Sequence, residues 1–454
     1  MTAAFDLAGS AWVPVLLLLG FTVYLRVRAG NWFVPGPFFG GLWFCFLVGS
    51  LMAVEHRVPG LGTWVLVALV AAVQIGSILG ESQPLEKERQ PSPTAWAERV
   101  QLQRLIRLHA WRAALVLTVV AMAGVIYFAW YSMDLFQQPV SFVSLIPMAA
   151  KWTLLRYDGF LDPWPLRVAA VWVYPPALLG GILFPLSLRF RDRVVALLSL
   201  VPALLLTALS GGRSAFLVGL ACWLGGHWSS RAGRIGLGRD RSGVSPSEVG
   251  RSPVRSSLTG LKSGLLVGFG ALALLLLFMG VDSLRGAKDD SDIREFSLEF
   301  RSAQVRNYMF GMPAAFAQWF DSDQHHAVQW GALTLPGPFA VLGIHARTLG
   351  TYTDSASTVG LEATNVFTIF RGLIEDFTLG GAFLICSLWG FLGGRNYSRR
   401  SLAWGSILSL SAFYSIALFS PLYCLFGFNG PLFAWIVAWF ALPRDGMKSR
   451  KPIR

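Results

Sequence analysis

The sequence predicts an all-α, polytopic membrane protein, and two observations lead there. Of its 454 residues 54% are hydrophobic and only 14% charged, with a mean hydropathy of +0.53, whereas a soluble domain carries charge on about a quarter of its positions. The apolar residues recur in runs of about 17–25, enough at 1.5 Å per residue to cross roughly 30 Å of hydrocarbon, where a chain must satisfy its own backbone polar groups and so forms helices. The 18 Trp and 33 Phe suit interfacial belts and lipid-facing surfaces.

About eleven spans follow in order, at 11–25, 33–53, 61–80, 112–131, 167–188, 194–210, 213–228, 263–282, 379–394, 402–419 and 424–442. The first is expected to stay as a helix, because MTAAFDLAGSAWVPVLLLLGF has neither the basic leader nor the small-residue cleavage site of a signal peptide. With the N-terminus outside and the C-terminus in the cytoplasm, about two-thirds of the 38 Lys and Arg fall inside, and about two-thirds of the 25 Asp and Glu fall outside. That asymmetry accounts for the pI near 10 as retention of a basic inner face against anionic lipid, so no nucleic-acid partner is expected.

Between the spans, two cytoplasmic loops at 81–111 and 229–262 are rich in Arg, Ser, Pro and Gly, and the second is expected to be disordered. On the outer side, 132–166 reads as an amphipathic stretch along the interface. Residues 283–378 are too long for a connector and too apolar and aromatic for disorder, so a large helical extracytoplasmic loop is expected there. The proposed span interiors contain no Asp, Glu, Lys or Arg, which argues against an ion-coupled transporter and moves any chemistry to the outer surface. The four Cys show no disulfide or zinc spacing, and DQHHAVQ and GIHART carry no zinc pattern either.

Candidate residues gather at that surface. Arg213 in LTALSGGRSAFLVGL marks a turn between two short crossings, which draws it to the headgroup level. There it either snorkels to water or clamps phosphate, since the guanidinium fork matches phosphate oxygens and Gly-Gly admits a ligand to the backbone. In TNVFTIFRGLIEDFTLGG, helical spacing aligns Val366, Phe370, Leu373 and Phe377 on an apolar stripe, with Arg371 and Glu375 on another face at i,i+4. Asp376 follows directly. As an exposed pair Arg371 and Glu375 would contribute a few tenths of a kcal/mol, a thin reason for their presence. Arg294, Arg301 and Arg306 lie on an expected loop helix, where they serve as internal ion-pair partners or as substrate contacts. His345 reads as an exposed structural residue or a reserve base.

SGGRSAFL at a short external turn, then a cytoplasmic loop, one more span, a long external loop and the 364–381 motif, resembles the oligosaccharide repeat-unit polymerases, the Wzy-type or O-antigen polymerases of bacterial envelopes. Thr364, Asn365, Val366, Phe367, Thr368, Arg371, Asp376 and Phe377 match that family's motif, while Thr378 stands where Gly is usual. The resemblance implies a membrane glycosyltransferase, GT-C-like architecture in the bacterial plasma membrane, acting by inverting, metal-independent transfer with no cofactor. Its partners would be undecaprenyl-pyrophosphate-linked glycans, membrane lipid and a chain-length regulator. Arg213 and Arg371 would hold pyrophosphate, with Arg301 or Arg306 as a third contact. Glu375, Asp376 or His345 would take the acceptor proton, and Arg294, Thr364 and Asn365 would complete the substrate site. A lipid-linked oligosaccharide ligase or a SEDS-like enzyme would use the same arginines, and a flippase would move the lipid-linked sugar without making a bond.

Overall fold

The structure is a computed structural model that describes residues 11–53, 58, 60–82, 93–137, 148–149, 151–152, 155, 163–187, 189–212, 214–239, 310–322, 328–344, 352, 367–399 and 404–442. Its regular elements are helical: α1 Trp12–Ala29, α2 Pro35–Ala53, α3 Gly60–Glu81, α4 Pro93–Leu135, α5 Trp164–Trp172, α6 Tyr174–Leu186, α7 Phe190–Leu198, α8 Val201–Ser210, α9 Ser214–Arg239, α10 Met312–Asp321, α11 Pro336–Val341, α12 Ile369–Arg399, α13 Trp404–Phe419 and α14 Asn429–Ala441.

Among the described residues seven helices are long and apolar enough to cross a membrane. Two of these are jointed, α5 with α6 and α7 with α8, and in each the second half starts with Pro at its first turn, where the missing N–H is not needed. The apolar helices α13 and α14 are shorter, at 16 and 13 residues. The expected span at 263–282 lies outside the described residues. Two expected loop segments are partly helical instead: α4 begins at Pro93 and α9 continues to Arg239, so each helix runs on past its apolar stretch. Side chains such as Leu16, Met52, Val119, Leu384 and Phe440 stay exposed on the helix flanks. A bundle apolar on its outside as well as its inside is soluble only in lipid.

Among the described residues the most extensive helix contact joins α3 to α12. A Cβ on Gly76 would lie 2.0 Å from the Ser387 carbonyl oxygen, and one on Gly80 2.2 Å from that of Phe391. From the other side, Cβ atoms on Gly390 and Gly394 would meet the Val73 and Ser77 carbonyls at 2.0 and 2.1 Å. Both helices thus present small residues four apart, and the register rises together along both, so the two run parallel at backbone contact. Lipid provides little hydrophobic drive between helices, which makes close backbone packing the main source of adhesion here. Buried polar groups pin the neighbours: Gln74 donates to Thr22 Oγ1 at 3.0 Å and the Gly36 amide donates to Ser77 Oγ at 3.0 Å.

The helix ends sort into two faces. At one, Asn31 donates to the Tyr397 hydroxyl at 3.4 Å and Arg231 stacks over Phe33 at 5.1 Å, so the ends of α1 and α12 meet beside the Arg231 turn of α9, bringing Arg26, Arg28 and Arg395. At the other, α10 lies over the start of α3: the Gly62 amide donates to Asp321 Oδ1 at 2.9 Å, and Ala317 fills the space a Gly62 Cβ would need. Part of the expected interfacial stretch folds back at this end, where Trp152 is buried, donates to Ser132 Oγ at 3.0 Å and packs on Phe128 and Phe136.

Candidate functional site

The site forms where α12 breaks. Thr378 has φ 65° and ψ 170°, a backbone region essentially reserved for glycine, and divides α12 into an entry segment and a crossing segment. A break leaves the preceding carbonyls without their partners one turn on. The 328–330 segment supplies them: the Gln329 amide donates to the Glu375 carbonyl and the Trp330 amide to that of Asp376, each at 3.1 Å. The Asp376 carboxylate extends the same attachment. It accepts from the Leu333 amide at 3.1 Å and from the Thr334 amide and hydroxyl at 2.7 Å each, while fully buried. At the other end of the entry segment, the Ile369 amide donates to the Ser420 carbonyl at 2.9 Å. Ser420 Oγ in turn accepts from Trp43 Nε1, and Tyr423 donates to the Leu333 carbonyl at 2.6 Å. α2, α12, α13 and the 328–344 segment are therefore locked together around the entry segment, residues 369–377.

Within that frame Arg371 and Glu375 meet as their spacing predicts, Nε to Oε1 at 2.8 Å, but the pair is buried, not exposed. This changes its energetics. Exposed pairs contribute little, whereas two ions removed from water require close geometry and further contacts to offset several kcal/mol of desolvation each. Aromatic faces provide those contacts: the guanidinium carbon lies 3.9 Å from the Tyr352 ring centroid, 4.0 Å from Phe367 and 4.9 Å from Trp319. Desolvated cation–π contacts reach about 2 kcal/mol. On another face Phe370 is fully buried and packs against Trp43 at 4.9 Å, with Leu373 buried and Phe377 partly buried along the expected apolar stripe, whose first member, Val366, lies outside the described residues.

Three polar groups on residues that contact Arg371 meet no hydrogen-bond partner: the Tyr352 hydroxyl, Trp319 Nε1 and Thr368 Oγ1. Their residues are 6%, 8% and 0% exposed. Burial pushes the Tyr352 phenol well up, and the Glu375 carboxylate adds to the effect, so it keeps its proton and acts as a donor.

Of the residues expected from the sequence, Arg371, Glu375 and Asp376 come together, with Asp376 turned to the 331–335 turn and Glu375 to the arginine. Arg213, Arg294, Arg301, Arg306, His345, Thr364 and Asn365 lie outside the described residues. Sequence reasoning missed Trp319 and Tyr352 as partners of Arg371, since nothing in their spacing links three such distant positions. The GSILG and GFLGG stretches that join α3 to α12 did carry a readable signal, small residues four apart in apolar helices. No protein-family model, curated protein or solved structure matches the chain, which its helix lengths and hydropathy establish as a multi-pass helical membrane protein.

Proposed function

We propose that this protein polymerises undecaprenyl-pyrophosphate-linked oligosaccharide repeat units by inverting glycosyl transfer at the outer face of a bacterial plasma membrane. The observation that supports this reading best is the buried Arg371–Glu375 pair at the mouth of α12, under an aromatic roof and beside a helix break. Departure of a lipid diphosphate requires a cation to take up its developing charge. The acceptor hydroxyl oxygen attacks the anomeric carbon of the growing glycan, the bond from that carbon to the pyrophosphate oxygen breaks, and lipid pyrophosphate leaves with the electron pair. Arg371 takes the developing negative charge, joined by Arg213 and by Arg301 or Arg306 from the loop, while Arg294 contacts the rest of the substrate. As Arg371 turns to the diphosphate, the Glu375 carboxylate is released to accept the hydroxyl proton, with His345 as the alternative base. Asp376 holds the 331–335 turn in place. Thr364 and Asn365 line the acceptor side, and a chain-length regulator is an expected partner.

The test supplies purified protein in liposomes with lipid-linked repeat units, no nucleotide sugar and no added metal. A ladder of lipid-linked polymer, lost in Arg371→Lys and Arg213→Lys, is the expected product. Glycan moved onto a lipid A core would identify a ligase, and unchanged substrate that crosses the bilayer would identify a flippase; either overturns the polymerase reading.

A further inference from the structure

Buried polar groups are normally paired, because an unpaired one loses its hydrogen bonds to water with nothing in return. Three such groups belong to residues that contact Arg371: the Tyr352 hydroxyl, Trp319 Nε1 and Thr368 Oγ1. They come from three separate segments, α10, the loop and the approach to α12. The Tyr352 and Trp319 rings lie 3.9 and 4.9 Å from the guanidinium carbon, and the Thr368 carbonyl accepts the Arg371 amide at 3.2 Å. Their chemistry is one-sided. The indole N–H can only donate, the phenol keeps its proton, and the hydroxyl of Thr368 can turn either way. Buried hydrogen-bond donors on residues that contact a cation suit an oxyanion with several acceptor oxygens and suit a neutral sugar hydroxyl far less.

We propose that Tyr352, Trp319 and Thr368 bind the non-bridging oxygens of a diphosphate ester whose charge Arg371 balances, so that the aromatic roof is a substrate contact as well as a packing layer. This inference rests on the reading above and adds to it the diphosphate's own hydrogen-bond donors, which the motif around Arg371 does not include apart from Thr368. It also carries a consequence that a packing role does not. If these donors serve a ligand, the ligand-free protein is less stable for keeping them, and Tyr352→Phe or Trp319→Phe, which retain a ring over Arg371, relieve that cost.

The experiment measures unfolding temperature and ligand affinity of the full chain in nanodiscs, for wild type, Tyr352→Phe, Trp319→Phe and Thr368→Val. The probes are inorganic pyrophosphate, a polyprenyl pyrophosphate and, as a phosphodiester control, phosphatidylglycerol in the disc. Expected are ligand-free unfolding temperatures equal to or above wild type in both Phe variants, and about tenfold weaker diphosphate binding for each donor removed. Wild-type affinity retained in all three variants would overturn the inference, as would a wild type that binds neither diphosphate, or one satisfied equally by phosphatidylglycerol. The two readings fail separately. Diphosphate binding that depends on these donors, in a protein that makes no ladder, leaves this site standing and removes the polymerase; a normal ladder and normal affinity in the variants does the reverse.

Discussion

Glu375 holds the Nε of Arg371 at 2.8 Å across one helical turn, and both side chains are buried in an entry helix that ends three residues later at Thr378. Removing one member strands the other charge out of water. Arg371→Ala and Glu375→Ala are each expected to lower stability by about 3–5 kcal/mol, and the double variant by clearly less than the sum. Chemical unfolding in detergent measures the cycle. Additive losses would show that the two side chains do not depend on each other.

Thr378 occupies a glycine conformation with a side chain that does little to compensate: its Oγ1 accepts only a long bond, 3.5 Å, from the exposed Gly381 amide. Strain of this kind costs of order 1–3 kcal/mol, and replacing a Thr cap by Gly costs a few tenths. Thr378→Gly is therefore expected to stabilise the protein by about 1 kcal/mol, and Thr378→Ala to destabilise it slightly. A lower unfolding temperature for the Gly variant would contradict the strain assigned to this joint.

The α3–α12 contact tolerates no added atom at four positions. Gly76→Ala or Gly390→Ala puts a methyl group about 2.0 Å from a backbone carbonyl, which only separation of the helices can relieve. Each is expected to reduce the yield of folded protein from membranes and to weaken stability by more than about 3 kcal/mol. Gly20→Ala on α1 is the control: nothing lies within 4 Å of its Cβ, so it is expected to be neutral or stabilising. Equal behaviour of the three variants would mean that the close packing is not what holds these helices.

Asp376 is the peg on which the 331–335 turn hangs. Asp376→Ala removes the acceptor of three hydrogen bonds and leaves the buried Thr334 hydroxyl and amide without it. Faster hydrogen exchange at Leu333 and Thr334, with the crossing segment of α12 unchanged, is the expected pattern. Protection that persists at those amides would assign the turn to other contacts.

Asp321 ties α10 to α3, and its pKa is raised by partial burial, against which the Gly62 amide bond acts to lower it. A carboxyl whose folded value is raised stabilises the folded state below its unfolded value, and that contribution is lost as pH rises through the folded one. Attachment of α10 is thus expected to loosen as pH climbs from about 4, the ordinary Asp range, towards neutrality. The protection factor of the Gly62 amide, which removes the intrinsic pH dependence of exchange, should fall across that window in wild type and stay level in Asp321→Asn. A response of the opposite sign would place the carboxylate in a site that favours its charge.

The membrane class, the helical secondary structure and most crossing positions were legible in the sequence, because apolar run length against bilayer thickness is a one-dimensional property. So was the pairing of Arg371 with Glu375, since i,i+4 proximity follows from helical pitch alone. Burial of that pair was not legible, because it depends on Trp319, Tyr352 and Phe367 arriving from positions with no local relation to Arg371. Nor was the role of Asp376 in anchoring the 331–335 turn, for the same reason. The helix break at Thr378 was hinted at only by the Gly usual at that place in the motif; threonine itself has no preference for that geometry, and donors from residues 329 and 330 and the surrounding packing hold it there. Local spacing determined which residues share a helix face. Which faces leave water, and which charges lose it together, was decided by contacts between segments distant in the chain.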